Sequence, residues 1–248
     1  MLRTEHLTVR FGGLTAVNDV SLSIDPTELT GIIGPNGAGK TTLFNLVTGF
    51  ITPTSGKVYF NDTCISSMSP HKITTLGLTR TFQITKPFEQ MSLLDNVVVG
   101  SLWHVRDMRE ARSIARSALQ KVGLAHLAQR QATGLPVGYR KRLEVARVLA
   151  TKPKMVLLDE VMGGLTPQEI NEMGVVISEI KASGIAVVMI EHVMSAVMSL
   201  CQRLYVFNQG MLIASGPPSE IRNNDNVIEA YLGKKFRKKD KTEQGGQA

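Results

Sequence analysis

Nine consecutive residues limit what this chain can become: Gly34-Pro35-Asn36-Gly37-Ala38-Gly39-Lys40-Thr41-Thr42. They match G-x-x-x-x-G-K-S/T, the pattern of a loop that wraps phosphate groups. Leu29-Thr30-Gly31-Ile32-Ile33 precedes them and reads as a buried strand. Leu43-Phe44-Asn45-Leu46-Val47 follows and reads as a buried helix. Strand, glycine turn and helix form the context this loop needs. A helix N-terminus offers an anion its free N–H groups and the positive end of its dipole. Gly34, Gly37 and Gly39 let the main chain curl close to phosphates where side chains would block the approach. Lys40 can reach the β- and γ-phosphates, and the Thr41 hydroxyl can ligate Mg²⁺.

A chain of 248 residues suits one large α/β domain or a core with one subdomain, and 43% hydrophobic content supplies the core. Cys64 and Cys201 lie far apart without metal spacing and suit a reducing compartment. No charged-then-apolar start reads as a signal peptide, and no apolar run approaches the ~20 residues of a membrane span. The expectation is a protein soluble by itself, with any membrane role coming through a partner. The net charge of +7 invites a nucleic-acid reading. Residues 234–248, however, hold six bases against Asp240 and Glu243, a net of +4, which leaves +3 for the rest. That tail is expected to be disordered and solvated, or to touch an anionic surface.

Along the chain, Leu7 to Phe11 and Val17 to Ile24 read as strands with one polar face. Phe11 can stack on an adenine ring, although by itself it reads as core packing. Pro53 to Gly56 reads as a turn, Lys57 to Phe60 as a strand, and Ser69-Pro70 as a helix start. Leu78 to Gln83 is a strand running into a loop. Residues 88–150 read as mainly helical, with Ala111, Ile114, Ala115, Ala118, Leu119 and Val122 on one core-facing stripe. Gly134 to Gly138 reads as a loop and Arg140 to Ala150 as an amphipathic helix. Its basic first turn opposes the helix dipole, so these cations are expected either to meet a polar partner or to form a solvated face.

Met155-Val156-Leu157-Leu158-Asp159-Glu160 is an apolar strand ending in two acids. In an open parallel sheet, ligands sit beyond the carboxyl ends of strands. Two carboxylates there are costly to desolvate unless a metal or a proton shares the site. With the phosphate loop present, Asp159 reads as an Mg²⁺ ligand through water and Glu160 as the group that orients attacking water. Thr166-Pro167-Gln168-Glu169 is a capping box that starts a helix. Ile185 to Ile190 is a further buried strand ending at Glu191-His192. By itself His192 reads as structural, but at that strand end it can reach a γ-phosphate. Cys201 to Phe207 and Met211 to Ala214 read as a hairpin.

Together these pieces resemble the nucleotide-binding subunit of an ABC transporter over residues 1 to about 233. The resemblance implies an α/β P-loop NTPase fold with an N-terminal antiparallel β subdomain. The core and β subdomain would take 1–87 and 151–233, and an inserted helical subdomain 88–150. It makes Phe11 the adenine-stacking aromatic, Gln83 a glutamine near Mg²⁺ and a membrane partner, Glu160 the catalytic carboxylate and His192 the switch histidine. Leu135-Pro136-Val137-Gly138-Tyr139 falls where the family has Leu-Ser-Gly-Gly-Gln. Pro136 there loses a donor, and only Gly138 keeps a close-approach role toward the other subunit's nucleotide. Val161 and Thr166 also depart from the usual Pro and Asp. Gly163-Gly164-Leu165-Thr166-Pro167, Glu191-His192-Val193-Met194 and Ile228-Glu229-Ala230-Tyr231-Leu232-Gly233 are similar to the branched-chain (hydrophobic) amino acid importers, whose near relatives import urea and amides.

The resemblance implies ATP and Mg²⁺ as cofactors and a head-to-tail dimer with a second ATPase chain. It also implies two membrane permeases, an external solute-binding protein, and a place at the cytoplasmic face of the plasma membrane. No nucleic-acid partner is expected. A soluble ABC-type ATPase acting on nucleic acid or ribosomes would carry paired cassettes or long arms. A GTPase would carry Asn-Lys-x-Asp. A subunit that binds ATP and scarcely turns it over keeps the same fold.

Overall fold

A computed structural model describes residues 1–84 and 86–232. The basic tail expected to be disordered lies outside them. In chain order the first elements are β1 (Leu2–Phe11), β2 (Leu14–Ile24), β3 (Thr30–Ile33), α1 (Lys40–Val47), β4 (Ser55–Phe60) and β5 (Thr63–Cys64). Then come α2 (Pro70–Leu76), β6 (Leu78–Arg80), α3 (Leu93–Ser101), α4 (Met108–Lys121), α5 (Val137–Leu149) and β7 (Met155–Asp159). These are followed by α6 (Pro167–Ala182), β8 (Ala186–Ile190) and α7 (Met194–Leu200). The chain closes with β9 (Arg203–Asn208), β10 (Met211–Gly216), α8 (Pro218–Arg222) and α9 (Asp225–Leu232). Two compact units result, one from Met1–Ser67 with the chain from Cys201, the other from Met68–Leu200. Among the described residues no helix is long and apolar enough to cross a membrane.

In the first unit, β2, β1, β4 and β5 pair antiparallel in that order. β1 and β2 run longer than the alternating runs predict, joined by a turn at Gly12-Gly13. The register shifts within the pair, and His6 and Asp19 take positive φ. An extra residue in one strand flips the faces that follow, which is why strict alternation in the sequence breaks early. β4 begins at Ser55, two residues inside the expected turn. Gly56 accounts for this, since its φ of +85° lets the strand pass close to the His6 carbonyl. Beside this sheet, β3 pairs parallel with β9, and β9 turns back into β10 through Gln209-Gly210, both at positive φ as a tight hairpin requires.

In the second unit β6, β7 and β8 are parallel neighbours, and β7 and β8 are buried along their whole length. Strands covered on both faces need unbroken apolar runs, which 155–158 and 186–190 supply. α4 carries the predicted stripe, with Ala111, Ala115, Ala118 and Leu119 buried. α6 starts with the predicted capping box, both reciprocal hydrogen bonds being present at Thr166 and Glu169. The expected loop at Gly134 to Gly138 requires correction. α5 already begins at Val137, because Pro136 sits extended at the N-cap with no N–H to leave unpaired. Arg140, Lys141 and Arg142 therefore come after the first helical residues, where the dipole penalty fades.

Candidate active site

The first unit presents the phosphate loop. β3 ends at Ile33 and α1 begins at Lys40, so the free N–H groups of the helix face the curl of Gly34 to Gly39. Two glycines are required by the geometry. A Cβ on Gly34, at φ +150°, would lie 2.1 Å from the Phe207 carbonyl oxygen, and one on Gly39, at φ +99°, 2.4 Å from that of Ala16. The Ala38 N–H donates to the Pro35 carbonyl and the Gly210 N–H to that of Ala38, which closes the turn. Asn36 and Gly37 are exposed, and Pro35, Thr41 and Thr42 are half-buried. Lys40 is buried, and its Nζ donates to the carbonyls of Gly34 at 2.7 Å and Pro35 at 2.9 Å. Its ammonium thus lies within the curl of the loop. Phe11, at the end of β1, is 49% exposed. Tyr231 on α9 lies near the Gly34 main chain: partial burial pushes its phenol up, and Gly34 opposes this, a proximity that sequence reading did not foresee.

The second unit gathers three of the expected residues. β7 ends at Asp159, and Glu160 takes φ +52°. A left-handed non-glycine residue costs on the order of 1–3 kcal/mol and persists only when its surroundings hold it. Here the Glu160 N–H donates to the Ile190 carbonyl at 2.9 Å, and its own carbonyl accepts from Gly163 N–H and from Lys141 Nζ. This turn aims the side chain at both partners. Gln83 Nε2 donates to Glu160 Oε2 at 2.8 Å, and His192 Nε2 shares a hydrogen bond with Oε1 at 2.6 Å. One carboxylate thus joins the loop after β6 to the end of β8.

Asp159 is fully buried. Its Oδ2 accepts from Arg80 at 2.6 Å, and its N–H donates to the Thr81 hydroxyl. Burial pushes the Asp159 carboxyl up, opposed first by Arg80. Oδ1 is buried without a hydrogen-bond partner. Such an orphan suits a bound water or a cation. Glu191, 2% exposed, accepts the Met162 N–H at 2.8 Å and leaves its other oxygen unpartnered; burial pushes its carboxyl up to about 7.

Gly138, in the first turn of α5, is buried, and a Cβ there would lie 2.4 Å from Glu169 Oε1. Of the cations after it, Arg140 is exposed and the next two find polar partners. Arg142 pairs with Glu172, and Lys141 with main-chain carbonyls. Glu144 accepts the Phe82 N–H. Sequence reading left Arg80, Glu144 and Glu191 without roles. The available signal was a charge inside a short expected strand, as in Leu78-Thr79-Arg80, since charges are rarely buried unless paired.

Residues 17–163 match the ABC transporter family, and residues 211–237 the branched-chain amino acid ATP-binding cassette transporter family. The chain is 39% identical to the high-affinity branched-chain amino acid transport ATP-binding protein LivG of Escherichia coli, covering 94% of this chain and 98% of that protein. It has the same identity and coverage to BraF of Pseudomonas aeruginosa, which carries the same description. A solved nucleotide-free ATP-binding cassette from an ABC transporter superposes with TM-score 0.86 at 34% identity, covering 94% of this chain and 99% of that one. The ADP conformation of an ABC transporter cassette gives the same TM-score and coverage at 33% identity. With its α/β P-loop fold, the chain belongs to the ATP-binding subunits of ABC transporters, in their branched-chain amino acid group, and is an ATPase.

Proposed function

We propose that this chain energises a membrane importer of branched-chain or other hydrophobic amino acids by binding and hydrolysing MgATP. The observation that carries the hydrolytic part is Glu160, whose two carboxylate oxygens hold Gln83 and His192 while its main chain is fixed at positive φ. The substrate class rests on the likeness to LivG and BraF and on the match over residues 211–237.

In this reading Gly34 to Thr42 takes the triphosphate, Lys40 exchanging its carbonyl partners for phosphate oxygens, and Phe11 stacks on adenine. Thr41, Asp159 and Gln83 would hold Mg²⁺. The fit rests on the orphaned Oδ1 of Asp159, buried and acidic, which suits a cation reached through water. Bound there, Mg²⁺ supplies charge neutralisation on the phosphates. Glu160 orients and accepts a proton from water, and His192 orients Glu160 and reaches the γ-phosphate. Gly138 covers the phosphates held by a second ATPase subunit arranged head to tail. Pro136 removes a donor from that cover, and Val137 puts a side chain where a glycine would allow close approach, which leaves that approach to Gly138. Two permeases receive the motion near Gln83, and an external binding protein delivers the solute. The chain then sits at the cytoplasmic face of the membrane through those permeases.

The test is gentle purification of the tagged chain from detergent-solubilised native membranes, with mass spectrometry of what accompanies it. Two permeases and a second ATPase chain are expected. Ribosomal proteins or nucleic acid without any membrane protein would overturn the importer reading.

A further inference from the structure

Lys141 and Glu144 lie three residues apart on α5, so they share one face of that helix. They are 8% and 6% exposed. Burying a lysine ammonium is unfavourable unless it finds acceptors. Lys141 Nζ takes two, the carbonyl of Glu160 at 2.8 Å and that of Gln83 at 3.3 Å. These are the two residues whose side chains meet each other at 2.8 Å. Glu144 adds a third tie by accepting the N–H of Phe82, the residue before Gln83. A closed loop results: Gln83 and Glu160 are joined through their side chains and again, through one ammonium, by their main chains. The second joint bears on the residue at φ +52°, a strained main chain that must be held by its surroundings and from which the carboxylate projects.

We propose that Lys141 is a positioning residue for hydrolysis, pinning the main chains of Glu160 and Gln83 so that the Glu160 carboxylate points at the attacking water. This inference rests on the reading of Glu160 as the water-orienting carboxylate. It gives α5 a mechanical task. The helix begins with Val137-Gly138, so a displacement of its first turn carries Lys141, and with it the carbonyls of both residues. Lys141 touches neither reacting atoms nor nucleotide in this scheme and acts only through Glu160 and Gln83.

The experiment uses the full chain with Lys141→Met, which keeps the aliphatic stem and drops the donor. Lys141→Arg keeps a donor, and Glu160→Gln serves as the reference. Steady-state ATP hydrolysis, equilibrium binding of trinitrophenyl-ATP and thermal melting are measured on each. Lys141→Met is expected to lower kcat by about 30-fold, since a small misplacement of a catalytic group is that costly, while nucleotide affinity stays within about 3-fold. Lys141→Arg is expected to recover most of kcat. If Lys141→Met does not fold, Lys141→Gln, which keeps one N–H donor, carries the same comparison with Arg. An unchanged kcat, or kcat, nucleotide affinity and melting temperature falling together, overturns the proposal. If Glu160→Gln turns over ATP at the wild-type rate, the reading of Glu160 fails as well. If Glu160→Gln is inactive and Lys141→Met is not impaired, only the inference about Lys141 fails.

Discussion

Glu191 should make stability depend on pH in a direction opposite to that of most carboxylates. It lies 2% exposed at the end of β8, with one oxygen on the Met162 N–H and the other unpartnered. Burial raises its carboxyl from 4.5 to about 7, opposed first by the Met162 N–H and also by the nearby His192 main chain, while the field of Glu160 adds to the rise. For a raised carboxyl, the favourable contribution is complete below the unfolded value of 4.5. It is lost as pH rises through the folded value of about 7. Over pH 5 to 8.5 the wild type should therefore lose about 2–3 kcal/mol relative to a variant that does not titrate there. Glu191→Gln is that variant, because its amide oxygen still accepts from Met162. Whatever fixed difference the amide brings, it does not vary with pH. Thermal unfolding of both proteins at pH 5 and 8.5 should show the melting-temperature difference shift by roughly 5–10 °C in favour of glutamine at the higher pH. A difference that stays constant within about 0.5 kcal/mol across that range would refute the reasoning.

Other perturbations follow from the same geometry. Arg80→Met leaves the Asp159 carboxylate buried without its ion pair and should destabilise the chain by about 3–5 kcal/mol in denaturant unfolding. Adding Asp159→Leu to that variant should restore much of the loss. Gly34→Ala places a methyl against the Phe207 carbonyl, so nucleotide binding by fluorescence titration should fall below detection while the change leaves β1, β2 and β4 paired by circular dichroism. Thr166→Ala removes the N-cap of α6 and should lower the denaturant midpoint by an amount equivalent to about 1 kcal/mol.

The parts of this structure legible in the sequence were those written locally. The phosphate loop announces itself because strand, glycine turn and helix are contiguous, and the capping box at Thr166 because its two partners are three residues apart. The fully buried strands at 155–159 and 186–190 show as apolar runs for the same reason. What stayed hidden depends on contacts across long stretches of chain. Arg80 looks like one charge in a short strand until Asp159, 79 residues later, is found against it. Lys141 looked like part of a basic turn in conflict with the helix dipole. That conflict came from starting α5 at Arg140, whereas Pro136 starts it at Val137 and the ammonium points to main-chain carbonyls far away in sequence. The positive φ of Glu160 had no glycine to signal it, since tertiary hydrogen bonds alone hold it there. His192, bland by itself, acquires meaning only through its 2.6 Å bond to Glu160.

The central claim is that Glu160 governs hydrolysis and not nucleotide binding. Its most direct test is ATP turnover by the purified full chain and by Glu160→Gln, with ATP affinity and dimerisation by size-exclusion chromatography measured alongside. The account predicts a fall in turnover of about 100-fold or more with affinity within about 3-fold, and an ATP-bound dimer that persists because it cannot hydrolyse. Turnover by Glu160→Gln at the wild-type rate would contradict it.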